Sequence, residues 1–462
     1  MSNVFGILNT GRTALLTQQK AIDVTGHNIA NVNTDGYSRQ RVNMETNEPY
    51  SSQPGQTGTG VRAAEIQRIY DRFLGAQINN ENQNLGNWET QKGVLERVEI
   101  IFDESSGYGL NQAMSEFWNA WQDLANNPSD YAGRAALLAK SETMTATFNN
   151  IYSNLEQIQT DIDTSIMGTV KEINSIAERI AGLNQKIALT EVGGQNANDY
   201  RDSRDLLLKE LSLKINIDSF ENSDGKVTVL VAGGRPLVEN ISSWNLSTQP
   251  DVDSDFQDIA WTDSDGNLVD ITDSISGGKL KGWIEARDVT IPDYLSKLDN
   301  LAEGIITEVN DLHKAGLGLN DASVAGRNFF AGTTATNMAV DVDDVNNIAA
   351  AGSLDGLPGG NSNAIEIANL QNALKMNSDT ATFDDYYNSL VSDVGSGVQK
   401  ATVNFDHQSS MVTHLDNYRE SVSGVSLDEE MVNLIKFQHG YNAAARLISV
   451  ADELLDRVIS MV

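Results

Sequence analysis

Asp251, Asp253 and Asp255 fall at alternate positions of DVDSDFQDIAWT, the spacing with which a calcium loop begins to gather oxygen ligands. The loop fails further on. Its sixth position is Phe256, where the turn needs glycine, and its twelfth is Thr262, where a bidentate glutamate belongs. The stretch therefore reads as an exposed acidic hairpin. Five histidines are present: His27, His313, His407, His414 and His439. His407 and His414 stand seven apart and share a helix face, but no cysteine or third histidine sits at metal spacing. All five read as solvated helix histidines. GTGVRA at 58–63 is a fragment of a dinucleotide fingerprint without strand, turn and helix around it. SGGKL at 276–280 has Gly-Gly-Lys without phosphate-loop spacing. No G-x-S-x-G elbow occurs, and no acid pair is singled out by its context. No catalytic residue, metal or cofactor is expected.

Composition narrows the classes further. The 462 residues have room for about three domains. With 32 basic and 64 acidic residues the formal charge is −32, a sign that repels phosphate backbones and argues against nucleic acid. There is no cysteine, which removes disulfides, thiolate metal sites and thiol catalysis. The opening MSNVFGILNTGR lacks a basic start followed by a continuous apolar run, so export with a retained N-terminus is the expectation if the protein leaves the cell. No window is apolar enough to span a membrane, and no membrane insertion is expected. Only 7 prolines permit long uninterrupted helices.

The two ends are the most periodic parts. Leu8, Leu15, Ile22 and Ile29 recur every seven residues, with Ile7, Ala14 and Ala21 beside them. Near the other end Leu427, Leu434, Tyr441, Ile448, Leu455 and Val462 recur at seven. Phe437, Ala444, Ala451 and Val458 form a second row three residues on. Together the two rows are a coiled-coil seam. Ser426 and Glu429 stand at the two positions of a capping box, and Asp428 to Glu430 put negative charge at the positive end of the helix dipole. Such a seam needs cover from the N-terminal stripe, from neighbouring subunits, or from both. An isolated helix pair is marginal, so both ends are expected to be mobile in the monomer and ordered on assembly. Between the first stripe and the rest lies NIANVNTDGYSRQRV, residues 28–42. Its asparagines, Asn31 among them, offer amides that end the helix. Asp35-Gly36 turns the chain, Tyr37 anchors the exit, and Arg39 and Arg41 suit acidic neighbours.

Interior helices repeat the 3-4 spacing. Leu110 to Leu124 ends at Asn126-Asn127-Pro128. A second pattern runs from Ile151 to Ile187 past a stutter near Ile166. Others run from Tyr294 to Leu312 and from Tyr387 to Val422. KINIDSF, NSDG and KVTVLV read as strand, turn, strand. The expected fold is mainly α with a small inserted β domain, elongated, its terminal helices paired as a coiled coil. The expected boundaries are 1–45 with 423–462 for the terminal pair and 46–210 with 284–422 for a helical body. That body includes a loop-rich excursion at 316–382, with short strands around NMAVDVDDV. Residues 211–283 form the outer β domain.

ALLTQQKAIDVTGHNIANVNTDGYSRQ and SGVSLDEEMVNLIKFQHGYNAAARLISVADELLD resemble the terminal signatures of bacterial flagellar rod, hook and hook-associated proteins. FWNAWQDLANNPSDYAGRAALLAKSETMTATFNN, RDSRDLLLKELS, DGKVTVLVAGGRPLVE, GGKLKGWIEARDVTIPDYLSKLDNLAEGIITEVNDLHKAG and GRNFF are similar to the hook-associated protein 1 (FlgK) family, in family order. Asp35 stands where relatives often carry proline, and the segment after 316 is short. The resemblance implies a non-enzymatic junction protein between hook and filament, exported unfolded through the flagellar type III channel to the extracellular flagellum. It implies self-assembly into a helical ring or tube. The implied partners are the hook protein, the second junction protein (hook-associated protein 3) and a cytoplasmic export chaperone at the C-terminal region. The assembly interface would then be Leu8, Leu15, Ile22, Ile29, Asn31 and Tyr37 with Leu427, Leu434, Phe437, Tyr441, Ile448, Leu455 and Val458. An alternative is a secreted adhesion module using the outer β domain. An enzyme is disfavoured because the variable segments hold no catalytic cluster.

Overall fold

The computed structural model describes residues 2–53, 55–103, 109–252 and 254–460. Asp253 and Val462 therefore lie outside the described residues. The chain opens with helix α1 (Ser2–Ala30) and a ribbon in which β1 (Gln40–Thr46) pairs antiparallel with β4 (Val61–Arg68). The hairpin of β2 (Tyr50–Ser52) and β3 (Gly55–Thr57) lies at the ribbon's far end. Four helices follow: α2 (Arg72–Ile101), α3 (Leu110–Asn126), α4 (Tyr131–Glu191) and α5 (Asn198–Lys214).

Two small antiparallel sheets come next. One has the order β5-β6-β7-β8 (Ile217–Glu221, Val227–Val231, Arg235–Glu239, Ser242–Ser243). The other has the order β11-β10-β9, with β9 at Leu246–Pro250, β10 at Gln257–Thr262 and β11 at Leu268–Asp270. Helix α6 (Gly278–Glu285) runs through a π turn at Ala286–Thr290 into α7 (Ile291–Ala315). The excursion holds a two-residue strand pair, β12 (Phe330–Ala331) and β13 (Ala339–Val340), and a short helix, α8 (Ser362–Asn369). Helices α9 (Phe383–Ser423) and α10 (Leu427–Ile459) complete the chain.

Helix α4 is the axis of the body. Its 61 residues rise about 90 Å at ~1.5 Å each. Asp130 caps its start, accepting from the amides of Ala132 and Gly133 at 3.1 and 3.0 Å. One buried row runs from Leu137 through Phe148, Ile158, Ile166 and Ile173 to Ile187, and the helix passes the stutter unbroken. Around it pack α3, α7 and the excursion, with Phe117, Trp118, Trp121, Phe329, Phe330 and Phe383 fully buried. Helices α2 and α9 lie antiparallel, Leu74 and Ile78 meeting Leu415 at one end and Leu95 reaching Gly397 towards the other.

Several expectations need correction. The strands occupy 217–270 and are entered and left through α5 and α6, so the ends of the 211–283 range are helical. GTGVRA runs into strand β4, and the β1–β4 ribbon has no signature in the sequence because its faces are largely exposed and carry no alternating apolar pattern. SGGKL is a crossing point. Gly278 has φ +77°, and a Cβ there would lie 2.4 Å from the Ile215 nitrogen. His313 is not solvated. It is 1 % exposed, edge-on to Phe329, and its Nδ1 lies 2.8 Å from the Arg327 carbonyl, to which it donates. Its Nε2 accepts from the Ala349 amide at 3.0 Å.

Burial pushes the His313 imidazole down to about 4, so the folded protein holds it neutral. Below the ordinary value of 6.5 the unfolded chain binds a proton that the folded one refuses, and stability falls as the pH drops from 6.5 towards 4. We expect His313→Gln to lose roughly 2–3 kcal/mol less than the parent between pH 7.5 and 4.5, as read from urea midpoints at the two pH values.

Candidate assembly interface

Helix α1 and helix α10 run antiparallel, Gly11 meeting Ala444 and Ile448, Gln18 meeting Gly440, and Asn28 meeting Glu430. The closest approach is made by small residues. A Cβ at Gly11 would lie 2.7 Å from Ile448 Cγ1, and one at Gly440 would lie 2.9 Å from Gln18 Cδ. Ala21, Ala444 and Ala451 are buried in the same seam.

The large side chains of the predicted stripes flank this seam rather than fill it. Leu8, Leu15, Ile22, Ile29, Leu434, Phe437, Ile448 and Leu455 are half-buried, and Leu427, Tyr441 and Val458 are exposed. Beyond them α10 turns a further apolar stripe outward, with Val432 65 %, Ile435 51 %, Val450 53 % and Leu454 41 % exposed, and α1 adds Phe5 and Leu16.

The pair is joined to the body by a polar knot in the stretch that follows α1. Asn28 is 1 % exposed and uses all four of its hydrogen-bonding positions. Its amide donates to the Gln40 carbonyl at 2.8 Å and to Glu430 Oε2 at 3.0 Å. Its Oδ1 accepts from the Gln40 amide at 2.9 Å and the Tyr37 hydroxyl at 2.8 Å. Arg39 donates through Nε to Glu430 Oε1 at 2.8 Å and through Nη1 to Glu429 Oε2 at 2.7 Å, and its backbone amide reaches the Ser423 carbonyl at 2.8 Å.

On the other side the same loop holds α5. The Ser38 amide donates to Asp202 Oδ2 at 2.9 Å, and Arg68 bridges Asp202 and Asp205 at 2.8 and 2.7 Å while lying over the Tyr70 ring. Gln40 Nε2 donates to Asp199 at 2.7 Å. Burial and the facing carboxylates hold the Tyr37 and Tyr70 hydroxyls well above the ordinary tyrosine range. Burial, partly offset by Arg68, pushes the Asp202 carboxyl up.

This knot corrects two sequence expectations. Ser426 stands at the N-cap of α10 without a side-chain cap hydrogen bond, and Glu429, drawn to Arg39, does not reach back to the cap amide. A capping box does occur, at Thr382 and Asp385 of α9. Arg39 meets acidic groups of its own chain, while Arg41 stays exposed. Asn31 and Tyr37 play the expected local parts, Asn31 donating to the His27 carbonyl at 3.0 Å and Gly36 turning the chain at φ +78°. The joint is carried by Asn28 and Glu430, which the sequence marks only as a helix-ending amide and a charge for the helix dipole. The signal existed: Asn28 continues the row Ile7, Ala14, Ala21, and Glu430 precedes Phe437, Ala444 and Ala451 by the same seven. A polar residue in a seam row sets register and orientation.

Among the described residues no group of three or more His, Cys, Asp or Glu is placed to hold a metal ion, and no helix is long and apolar enough to cross a membrane. Asp251 hydrogen-bonds through its amide to the Phe256 carbonyl in the β9–β10 turn.

Both ends match family models of flagellar axial proteins. Residues 8–37 match the flagella basal body rod protein family, and 419–461 match the C-terminal region of the basal body rod FlgEFG proteins. The chain is thus of the axial class, which covers rod, hook and hook-associated proteins. Residues 95–330 match the helical domain of flagellar hook-associated protein FlgK. The chain is 32 % identical to flagellar hook-associated protein 1 of Bacillus subtilis, over 100 % of this chain and 99 % of that one. It is 25 % identical to the Escherichia coli protein of the same name, over 98 % and 99 %. It belongs to the flagellar hook-associated protein 1 family. The flagellar hook junction protein FlgK of Burkholderia pseudomallei shares the fold, with a TM-score of 0.65 at 14 % identity, over 75 % of this chain and all of that one. The chain is accordingly a structural component of the flagellar hook–filament junction, and nothing in these likenesses supports the adhesion reading.

The knot and the seam make separate predictions. Glu430→Ala leaves Arg39 and the Asn28 amide without their buried acceptor and costs about 2 kcal/mol. Amide exchange in α10 should quicken tenfold or more while α4 is unchanged. Ala444→Leu overfills the seam by about 1–3 kcal/mol and should loosen both α1 and α10 in the same measurement.

Proposed function

We propose that the α1–α10 pair is the element through which copies of this chain assemble, each burying the outward stripe of its neighbour. The observation that carries this reading is the arrangement of α10. Its inner seam is closed by glycine and alanine, and its larger apolar residues are left for another surface. Exposed apolar rows of this extent mark a contact surface. A tube of identical subunits needs contacts that repeat without closing within one pair.

In this reading the terminal pair (1–45 with 423–462) lines the inside of the junction. The helical body (46–210 with 284–422) forms the wall, and the β region (211–283) lies outermost. The seven-spaced stripe residues of both helices, with Asn31 and Tyr37, form the contact. The hook protein would be met below and hook-associated protein 3 above, outside the cell. The chain would travel unfolded through the type III export channel, with a cytoplasmic chaperone holding the amphipathic C-terminal segment in a groove beforehand. A seam of small residues and one polar knot is consistent with ends that open in the free monomer and order on assembly. The absence of any cysteine leaves no bridge to lock the chain before export.

Deleting residues 427–462 should leave a folded, soluble body that no longer enters the flagellum. Circular dichroism of the truncated protein and motility of cells carrying it decide the matter. Normal motile filaments built with the truncated chain would sink the reading.

A further inference from the structure

The charge of this chain is unevenly placed. Residues 1–45 and 423–462 carry 7 basic and 9 acidic residues, net −2, whereas the remaining 377 residues carry 25 and 55, net −30. Within the helix pair the division is sharper. Residues 2–22 of α1 and 431–451 of α10 contain Arg12, Lys20, Lys436 and Arg446 and not one acidic residue. These are the segments that lie against each other, Gly11 by Ile448 and Gly440 by Gln18. The acids at the start of α10 are partly used up inside the chain, Glu429 and Glu430 both on Arg39.

Two free copies therefore have bodies of strongly like charge and helix pairs whose central contact segments, 2–22 and 431–451, carry no carboxylate, the acids of α10 being confined to its two ends. Long-range repulsion between bodies scales with 30 × 30. The terminal pair, net −2 itself, offers no attraction to offset it, so repulsion wins at distance. The reach of that repulsion is set by salt, about 30 Å at 0.01 M and about 10 Å at 0.1 M.

We propose that the acidic body is an electrostatic gate on self-association. It holds free copies apart although each carries an uncovered apolar stripe, and it yields when salt screens the bodies or a growing structure holds copies side by side. The gate rests on the reading of the helix pair as the assembly face. Its ligand is a second copy of this chain, and its control is ionic strength. The same device keeps a chain with an uncovered apolar stripe dispersed before it reaches its place.

Sedimentation velocity of the full chain in 0.02 to 0.5 M NaCl tests it. Association should strengthen at least tenfold across the range. A variant with Glu142, Glu156, Glu178, Glu210, Glu303 and Glu366, all exposed on body helices, changed to glutamine should reach the same association at lower salt. Screening acts mostly below 0.1 M, where the reach of the repulsion falls from about 30 Å to about 10 Å, whereas simple salting-out grows at the top of the range. Association that is unchanged or weaker at high salt overturns the gate, as does a glutamine variant that follows the parent, or a parent and variant both monomeric throughout. Val450→Asp separates the two ideas. Loss of association in that variant keeps the helix-pair face. Salt-promoted association that survives it overturns the assembly reading while leaving body repulsion measured.

Discussion

Asn28 is the point on which the arrangement of this molecule turns. One amide side chain ties the end of α1 to the loop leaving it, through Gln40 and Tyr37, and to the start of α10, through Glu430. A buried amide with every position filled tolerates no other neighbour, because each lost partner leaves a desolvated polar atom behind. The antiparallel register of the terminal helices and the course of the loop follow from that one set of contacts, while Ser38, Gln40 and Arg68 hold α5 beneath the loop. Arg39 extends the same logic by binding both carboxylates at the head of α10 and the carbonyl at the end of α9.

The body is held differently. Its core is a continuous apolar mass along α4, where burial of leucine, isoleucine and aromatic side chains at about 25 cal/mol per Å² dominates. The terminal pair buries glycine and alanine at its seam and leaves its larger residues half-covered. Two regimes therefore coexist in one chain: a body with a large continuous core, and a pair of ends whose register is specified but whose surface is incompletely satisfied. That division suits a junction component, since a subunit that buried all its apolar surface internally would have none left for its neighbours.

Much of this could be read before the structure. The long helices at both ends, the unbroken helix past Ile166, the stop before Pro128 and the strand-turn-strand of KINIDSF to KVTVLV all follow local periodicity and turn chemistry, and all appear where expected. The failures share a cause, which is competition from distant partners. Glu429 turns to Arg39, 390 residues away in sequence, rather than to the start of its own helix. His313 looks like any histidine near a helix end until Arg327 and Ala349 close on its two nitrogens. The β1–β4 ribbon has no buried face to impose an alternating pattern. The seam was read as the place of the large residues, when the close approach of two helices selected the small ones beside them.

The unbroken course of α4 has a mechanical consequence. A helix about 90 Å long, packed along most of its length, is a stiff rod, whereas the joint beneath it is a few side chains around one loop. Stiff and soft elements in series share force equally but not deformation. Bending imposed from either side is therefore taken up at the loop of residues 31–39, and the body rides through it as a rigid unit.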